Sequence, residues 1–165
     1  MGRKKELHNI EYKWLYDIMK IKHPRSFTRR FNQFLKKCHT TRANLRNRTI
    51  VAQATYTITI EELRELIARA LYKPCYYCGD EITLDNLNVD HIIPLSHGGN
   101  TEIKNLQCIC RRCNTRKGSL NAKEYSLLIQ LLKANFVIET YKYIMGKLAT
   151  RGYASYKGVK TNDSH

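Results

Sequence analysis

Apolar positions recur at helical spacing near the start of the chain. Leu7, Ile10, Trp14, Leu15, Ile18 and Met19 fall on one face of a helix over residues 6–22, and Pro24 ends it. Ser26 is placed to cap a second helix. Phe27, Phe31, Phe34, Leu35 and Cys38 form its apolar face, and Arg29, Arg30, Lys36 and Lys37 its cationic one. Residues 40–49 stay basic, with Arg42, Arg46 and Arg48, and read either as a short helix or as a loop that orders on binding. The period then changes. Tyr56, Ile58 and Ile60 alternate with threonines, which predicts a short strand within residues 50–59.

Thr59 with Glu62 fits a capping box, and Leu63, Leu66, Ile67, Ala70 and Leu71 supply the buried stripe of the helix behind it. Pro74 is expected to stop that helix and deliver the chain to Cys75. Residues 82–93 and 106–109 read as short strands around a loop over residues 94–105. Residues 114–118 read as the first turns of a short helix. Residues 122–148 are helical again, with Tyr125, Leu128, Ile129, Leu132, Phe136, Ile144 and Leu148 apolar and Asn135 marking a candidate break. The tail after Gly152, with Tyr153 and Tyr156, is expected to be disordered.

Charge divides this pattern. The chain of 165 residues has a formal charge of +15, which predicts attraction to polyanions. Residues 1–60 hold 14 basic and 3 acidic side chains, whereas residues 61–118 hold 8 of each. Affinity for nucleic acid is therefore expected upstream, and chemistry in the neutral segment. Four regions follow: a basic, mainly helical region 1–58 expected to bind nucleic acid, a core 59–120, a helical region 121–149 and a flexible tail 150–165. Removing the first region is expected to weaken DNA binding and to leave the core folded. No signal-peptide pattern and no apolar run of membrane-spanning length is present, so the protein is expected to be cytoplasmic.

Six cysteines in an intracellular protein favour metal ligation over disulfides. Cys75 and Cys78 form one Cys-x-x-Cys pair, and Cys110 and Cys113 a second. Each pair presents two sulfurs to one ion, so together they complete a tetrahedral structural zinc site. Gly79 supplies the turn of the first knuckle. Cys38 and Cys108 read as small core hydrophobes, with an exchange of Cys108 for Cys110 as ligand the disfavoured alternative.

Asp90 and His91 stand side by side at the end of an apolar run, and Asn114 directly follows a cysteine of the second pair. Phosphodiester hydrolysis needs a base for water, a cation for the developing charge and help for the leaving oxygen. Neutral imidazole is a natural base near neutral pH. Asp90 and Asn114 offer oxygens to a hard divalent cation such as Mg²⁺, and Asn105 can hold the histidine or its loop by hydrogen bonding.

Taken together, Cys75-x-x-Cys78-Gly79, Asp90-His91-Ile-x-Pro94, Gly98-Gly99, Asn105-Leu106 and Cys110-x-x-Cys113-Asn114-x-x-Lys117-Gly118 resemble the HNH endonuclease family. The resemblance covers about residues 73–120. It implies an α+β fold, with a small ββα-metal core on a zinc-binding treble clef flanked by helices on both sides. It also implies a metal-dependent DNA endonuclease that leaves 5′-phosphate and 3′-hydroxyl ends, of mobile-element, phage or restriction type. By the same resemblance His91 is the general base, Asn105 orients it, and Asp90 and Asn114 hold the catalytic cation. The expected partner is double-stranded DNA, engaged by a monomer or a homodimer. Arg111, Arg112, Arg116 and Lys117, with Arg29, Arg30, Lys36 and Lys37, are the candidate phosphate contacts. Two rivals stand beside this reading: a zinc-stabilised nucleic-acid-binding module without catalysis, and a nuclease directed at RNA.

Overall fold

The computed structural model describes residues 13–134 together with Ile144 and Gly146. The expectations for Leu7 and Ile10, for a helix beyond Ala134 with its break at Asn135, and for the tail lie outside the described residues. The described elements are α1 (Lys13–Lys22), α2 (Phe27–Val51), α3 (Ile60–Ala70), β1 (Leu87–His91), β2 (Leu106–Cys110), α4 (Arg111–Lys117) and α5 (Ala122–Ala134). Helices thus surround one small antiparallel sheet, an α+β arrangement.

In α1 the buried residues are Leu15 and Met19, four apart and so on one face. Trp14, expected on that face, is 37% exposed. Neighbouring residues on a helix are turned by about 100° from one another, so a stripe centred on Leu15 leaves Trp14 at its edge.

α2 differs most from expectation. It continues unbroken to Val51, so residues 40–49 are helical and Ile50 and Val51 are not strand. Phe31, Phe34, Cys38, Leu45 and Thr49 are its buried residues, at intervals that keep one helical face against the core. That burial outweighs the strand preference of Thr49, Ile50 and Val51. Gln53, at φ 53°, lies just past the end of the helix. Of the expected strand, one parallel bridge between Tyr56 and Thr101 is formed. Ser26 precedes α2, but its side chain makes no capping hydrogen bond; its carbonyl accepts from the Arg30 amide.

α3 opens with the full capping box. Thr59 Oγ1 accepts from the Glu62 amide at 3.2 Å, and Glu62 Oε2 accepts from the Thr59 amide at 2.8 Å. The helix stops at Ala70, short of Pro74, because the chain turns through Tyr72 at φ 62°. Pairing of the Tyr72 amide with Ile82 O, and of the Ile82 amide with Lys73 O, then leads into the first cysteine pair.

β1 and β2 pair antiparallel, with Asp90 opposite Gln107 and His91 opposite Leu106. α4 follows β2 directly and begins at Arg111, three residues before the expected start, because Cys110 Sγ accepts from the Cys113 amide and caps it. The core joins Phe34, Cys38 and Leu45 of α2 to Leu63 and Ile67 of α3, Leu87 and Ile109 of the sheet, and Tyr125 of α5. It crosses the boundary at residue 58 that charge alone suggests. Among the described residues no helix is long and apolar enough to cross a membrane.

Candidate metal centre and catalytic site

The two cysteine pairs meet. Sulfurs of Cys75, Cys78, Cys110 and Cys113 all lie within 4.8 Å of one another, with Cys78 and Cys110 at 3.6 Å. Four thiolates around zinc at a Zn–S distance of about 2.3 Å would stand about 3.8 Å apart, so the spacing fits the ion. The first pair is shaped by the Gly79 amide donating to Cys75 O at 2.9 Å, with Gly79 at φ 80°, a conformation glycine adopts without strain. The Cys110 amide points at Cys75 Sγ from 3.5 Å. A hydrogen bond from Cys113 is the largest influence lowering the Cys75 thiol pKa, and the same bond raises that of Cys113. Cys38 and Cys108 stay outside this cluster, and burial pushes both thiols up to about 12.

Asp90 and His91 end β1 and face different partners, as strand alternation requires. Asp90 Oδ2 accepts from Lys117 Nζ at 2.9 Å and from Gln107 Nε2 at 3.2 Å. Lys117 also donates to His91 O at 3.1 Å. It is wholly buried, so it serves as an internal clamp and not as the expected phosphate contact. This one side chain ties the end of α4 to both residues of the Asp-His pair. His91 Nε2 lies 2.8 Å from Thr101 Oγ1. Burial first, and then the Arg48 guanidinium, lower the imidazole pKa to about 4 against the raising influence of Asp90, so the ring is neutral at neutral pH.

Asn105 closes the loop between the strands. Its Oδ1 accepts from the Ile93 amide at 2.8 Å, and its Nδ2 donates to Ile93 O at 3.0 Å and Asn100 O at 2.7 Å. The loop folds so tightly that a Cβ on Gly99 would stand 1.9 Å from Ile93 O. Only glycine fits there.

Asn114 lies on α4 and lines a cavity of about 210 Å³ between α2 and β1. Lys37, Asn44 and Arg48 of α2 and Asn88 of β1 line the same cavity. The other expected cations divide by partner. Arg30 pairs with Asp85 at 3.2 Å, and Arg111 donates to Asp85 O at 3.0 Å. Arg112 pairs with Asp80 across the two cysteine turns. Arg116 is half-buried, and its Nε has no hydrogen-bond partner. Arg29 and Lys36 line a shallow depression on the outer side of α2. Sequence reasoning missed Thr101 and Gln107 as contacts of the Asp-His pair, and Thr49 as the residue that contacts Thr101. Threonine and glutamine carry no spacing signature, and only the fold brings these three together.

Residues 75–125 match the family model described as HNH endonuclease. This segment belongs to the HNH endonuclease family, in agreement with its motifs. Over 46 residues the chain is 46% identical to the CRISPR-associated endonuclease Cas9 of Corynebacterium diphtheriae. That stretch is 27% of this chain and 4% of the relative, so the chain matches only a small part of that protein's length.

Proposed function

We propose that the protein is a metal-dependent DNA endonuclease. One observation carries the reading: inside an HNH segment, a neutral imidazole, a carboxylate and an amide-bearing helix start are fixed on one small scaffold by the cysteine cluster and Lys117. The four cysteines suit structural zinc. Asp90 and Asn114 suit a hard divalent cation such as Mg²⁺, since both offer oxygen. Asp90 Oδ2 is committed to Lys117 and Gln107, which leaves Oδ1 for the cation. A cation held by Asp90 and Asn114 would supply neutralisation of the charge that develops on the phosphate.

The residues do the rest. His91 takes a proton from the attacking water, and the products carry 5′-phosphate and 3′-hydroxyl ends. Asn105 holds the loop that follows the base. Lys37, Arg48 and the outer cations Arg29 and Lys36 hold the backbone of double-stranded DNA. A single site cuts one strand, so a double-strand break takes two protomers or two visits. The charge of residues 1–60 supports a nucleic-acid partner but does not by itself choose DNA over RNA.

The test is single-turnover cleavage of plasmid and of a matched RNA duplex with Mg²⁺ or Mn²⁺, wild type against His91→Ala. Loss of a general base typically costs on the order of 10²–10⁴-fold in rate. His91 is almost wholly buried, so rates are compared per folded molecule after a melting measurement. Equal rates remove His91 from the mechanism. No cleavage of DNA or RNA by folded, zinc-loaded wild type favours the binding module.

A further inference from the structure

Three buried side chains form a directed chain of hydrogen bonds that ends on His91. Thr49 Oγ1 lies 2.7 Å from Leu45 O, Thr101 Oγ1 lies 2.5 Å from Thr49 Oγ1, and His91 Nε2 lies 2.8 Å from Thr101 Oγ1. Thr49, Thr101 and His91 are at most 1% exposed, so bulk water does not substitute for any of them.

The proton positions follow from chemistry. A carbonyl oxygen has no proton, so the Thr49 hydroxyl donates to Leu45 O. That hydroxyl has one proton, so Thr101 donates to Thr49. The Thr101 proton is then committed, so at the last contact the imidazole donates and the hydroxyl oxygen accepts. A neutral imidazole carries one N–H. It is therefore on Nε2, and Nδ1 keeps the lone pair. Nδ1 is the ring nitrogen without a hydrogen-bond partner in the protein.

We propose that Thr101 and Thr49 are positioning residues that fix the Nε2–H tautomer of His91 and leave the basic lone pair on Nδ1, which is buried in the protein alone. The catalytic consequence rests on the nuclease reading above; the tautomer assignment rests on the hydrogen bonds alone. Thr49 belongs to α2, outside residues 75–125, so the basic helix completes the site it serves. Thr101 is held in turn by its backbone: its amide donates to Thr55 O at 2.9 Å and its carbonyl accepts from the Thr57 amide at 3.0 Å.

The experiment reads the ring nitrogens of His91 by ¹⁵N–¹H correlation spectra of the full-length, zinc-loaded protein at neutral pH, alongside single-turnover cleavage and DNA affinity. Wild type is expected to show the Nε2–H pattern. Thr49→Val and Thr101→Val keep shape and remove the hydroxyl. They are expected to lose that pattern and to slow cleavage on the order of 10- to 100-fold, part of the general-base factor, with DNA affinity unchanged. Thr49→Ser and Thr101→Ser restore the hydroxyl and are expected to recover both. Merely structural threonines would lower the melting temperature without moving the tautomer. If Thr101→Val does not fold, the Thr49 pair and the wild-type spectrum still decide the matter. An Nδ1–H pattern in wild type, or valine variants that keep both the pattern and the rate, overturns the proposal. A wild-type protein with the Nε2–H pattern that cleaves neither DNA nor RNA overturns the nuclease reading and leaves the tautomer assignment standing.

Discussion

Between Cys75 and Lys117, position is set by a few strong polar contacts. In α1 and α2 it is set by many weak apolar ones. The first region places its side chains with the cysteine cluster, the buried Lys117–Asp90 pair and the amide clamp of Asn105. The second lays a stripe of Phe31, Phe34, Cys38 and Leu45 against the core and leaves cations on its other faces. A small fold with little core needs directed contacts where chemistry demands precision. A helix that holds a polyanion needs only charge at the right distance. The regions nevertheless share one core.

The comparison breaks first at the cysteines. A structural zinc contributes folding free energy directly, on the order of 10 kcal/mol. Cys75→Ser or strong chelation is expected to unfold the segment from Cys75 to Lys117, seen as lost amide protection there. Metal analysis is expected to find one zinc per chain. Folded, active protein without zinc would remove the ion from this account.

The Lys117–Asp90 pair comes next. Lys117→Met leaves a largely buried carboxylate without its counter-charge, and removal of one partner of such a pair costs about 3–5 kcal/mol. Urea unfolding measures the loss. A change below about 1 kcal/mol, the range of exposed pairs, would show that water reaches Asp90 freely.

The helical region answers to salt. Each phosphate contact removed lowers the slope of log affinity against log salt by about 0.9 for duplex DNA. Lys37→Gln with Arg48→Gln, both lining the α2–β1 cavity, is expected to flatten the slope by about 2 contacts' worth. Arg29→Gln with Lys36→Gln probes the outer side of the same helix. Equal effects from both pairs would mean that DNA surrounds α2 and is not directed into the cavity. Full deletion of residues 1–58 is a poorer test than charge suggests, because it strips Phe34, Cys38 and Leu45 from the shared core.

The smallest effect belongs to α3. Thr59→Ala removes the cap and is expected to cost about 1 kcal/mol, read as a lower melting temperature with the zinc content unchanged. The Glu62 carboxyl is held below its ordinary range by its hydrogen bonds to Thr59. Its share of the capping box is present above the unfolded pKa and is lost as pH falls through the folded one.

What was legible in the sequence was whatever local chemistry dictates. The paired cysteines met as their spacing requires, the Thr59–Glu62 box formed, and two short strands flanked a glycine loop, the first confined to Leu87–His91 within the expected residues 82–93. What was not legible depended on the rest of the chain. The Thr49-Ile50-Val51 run has strand propensity, yet Leu45 and Thr49 have a buried surface waiting and the helix continues. Lys117 carries a charge that suggests solvent, yet Asp90 and His91 O receive it inside. Trp14 is apolar enough for the core, but its neighbour Leu15 has the better angle.

The hydroxyl of Thr101 bears on what could be transplanted. Residues 75–125, moved into another protein, would bring along the cysteines, the Asp-His pair and both asparagines. They would leave behind Thr49, which meets that hydroxyl at 2.5 Å, and the Thr55 and Thr57 backbone that grips Thr101. A grafted segment of that length would be a guest without its host. Whoever designs such a chimera has to provide one acceptor in the recipient, at the end of a helix laid beside Val89, or choose a longer cassette that begins before Leu45.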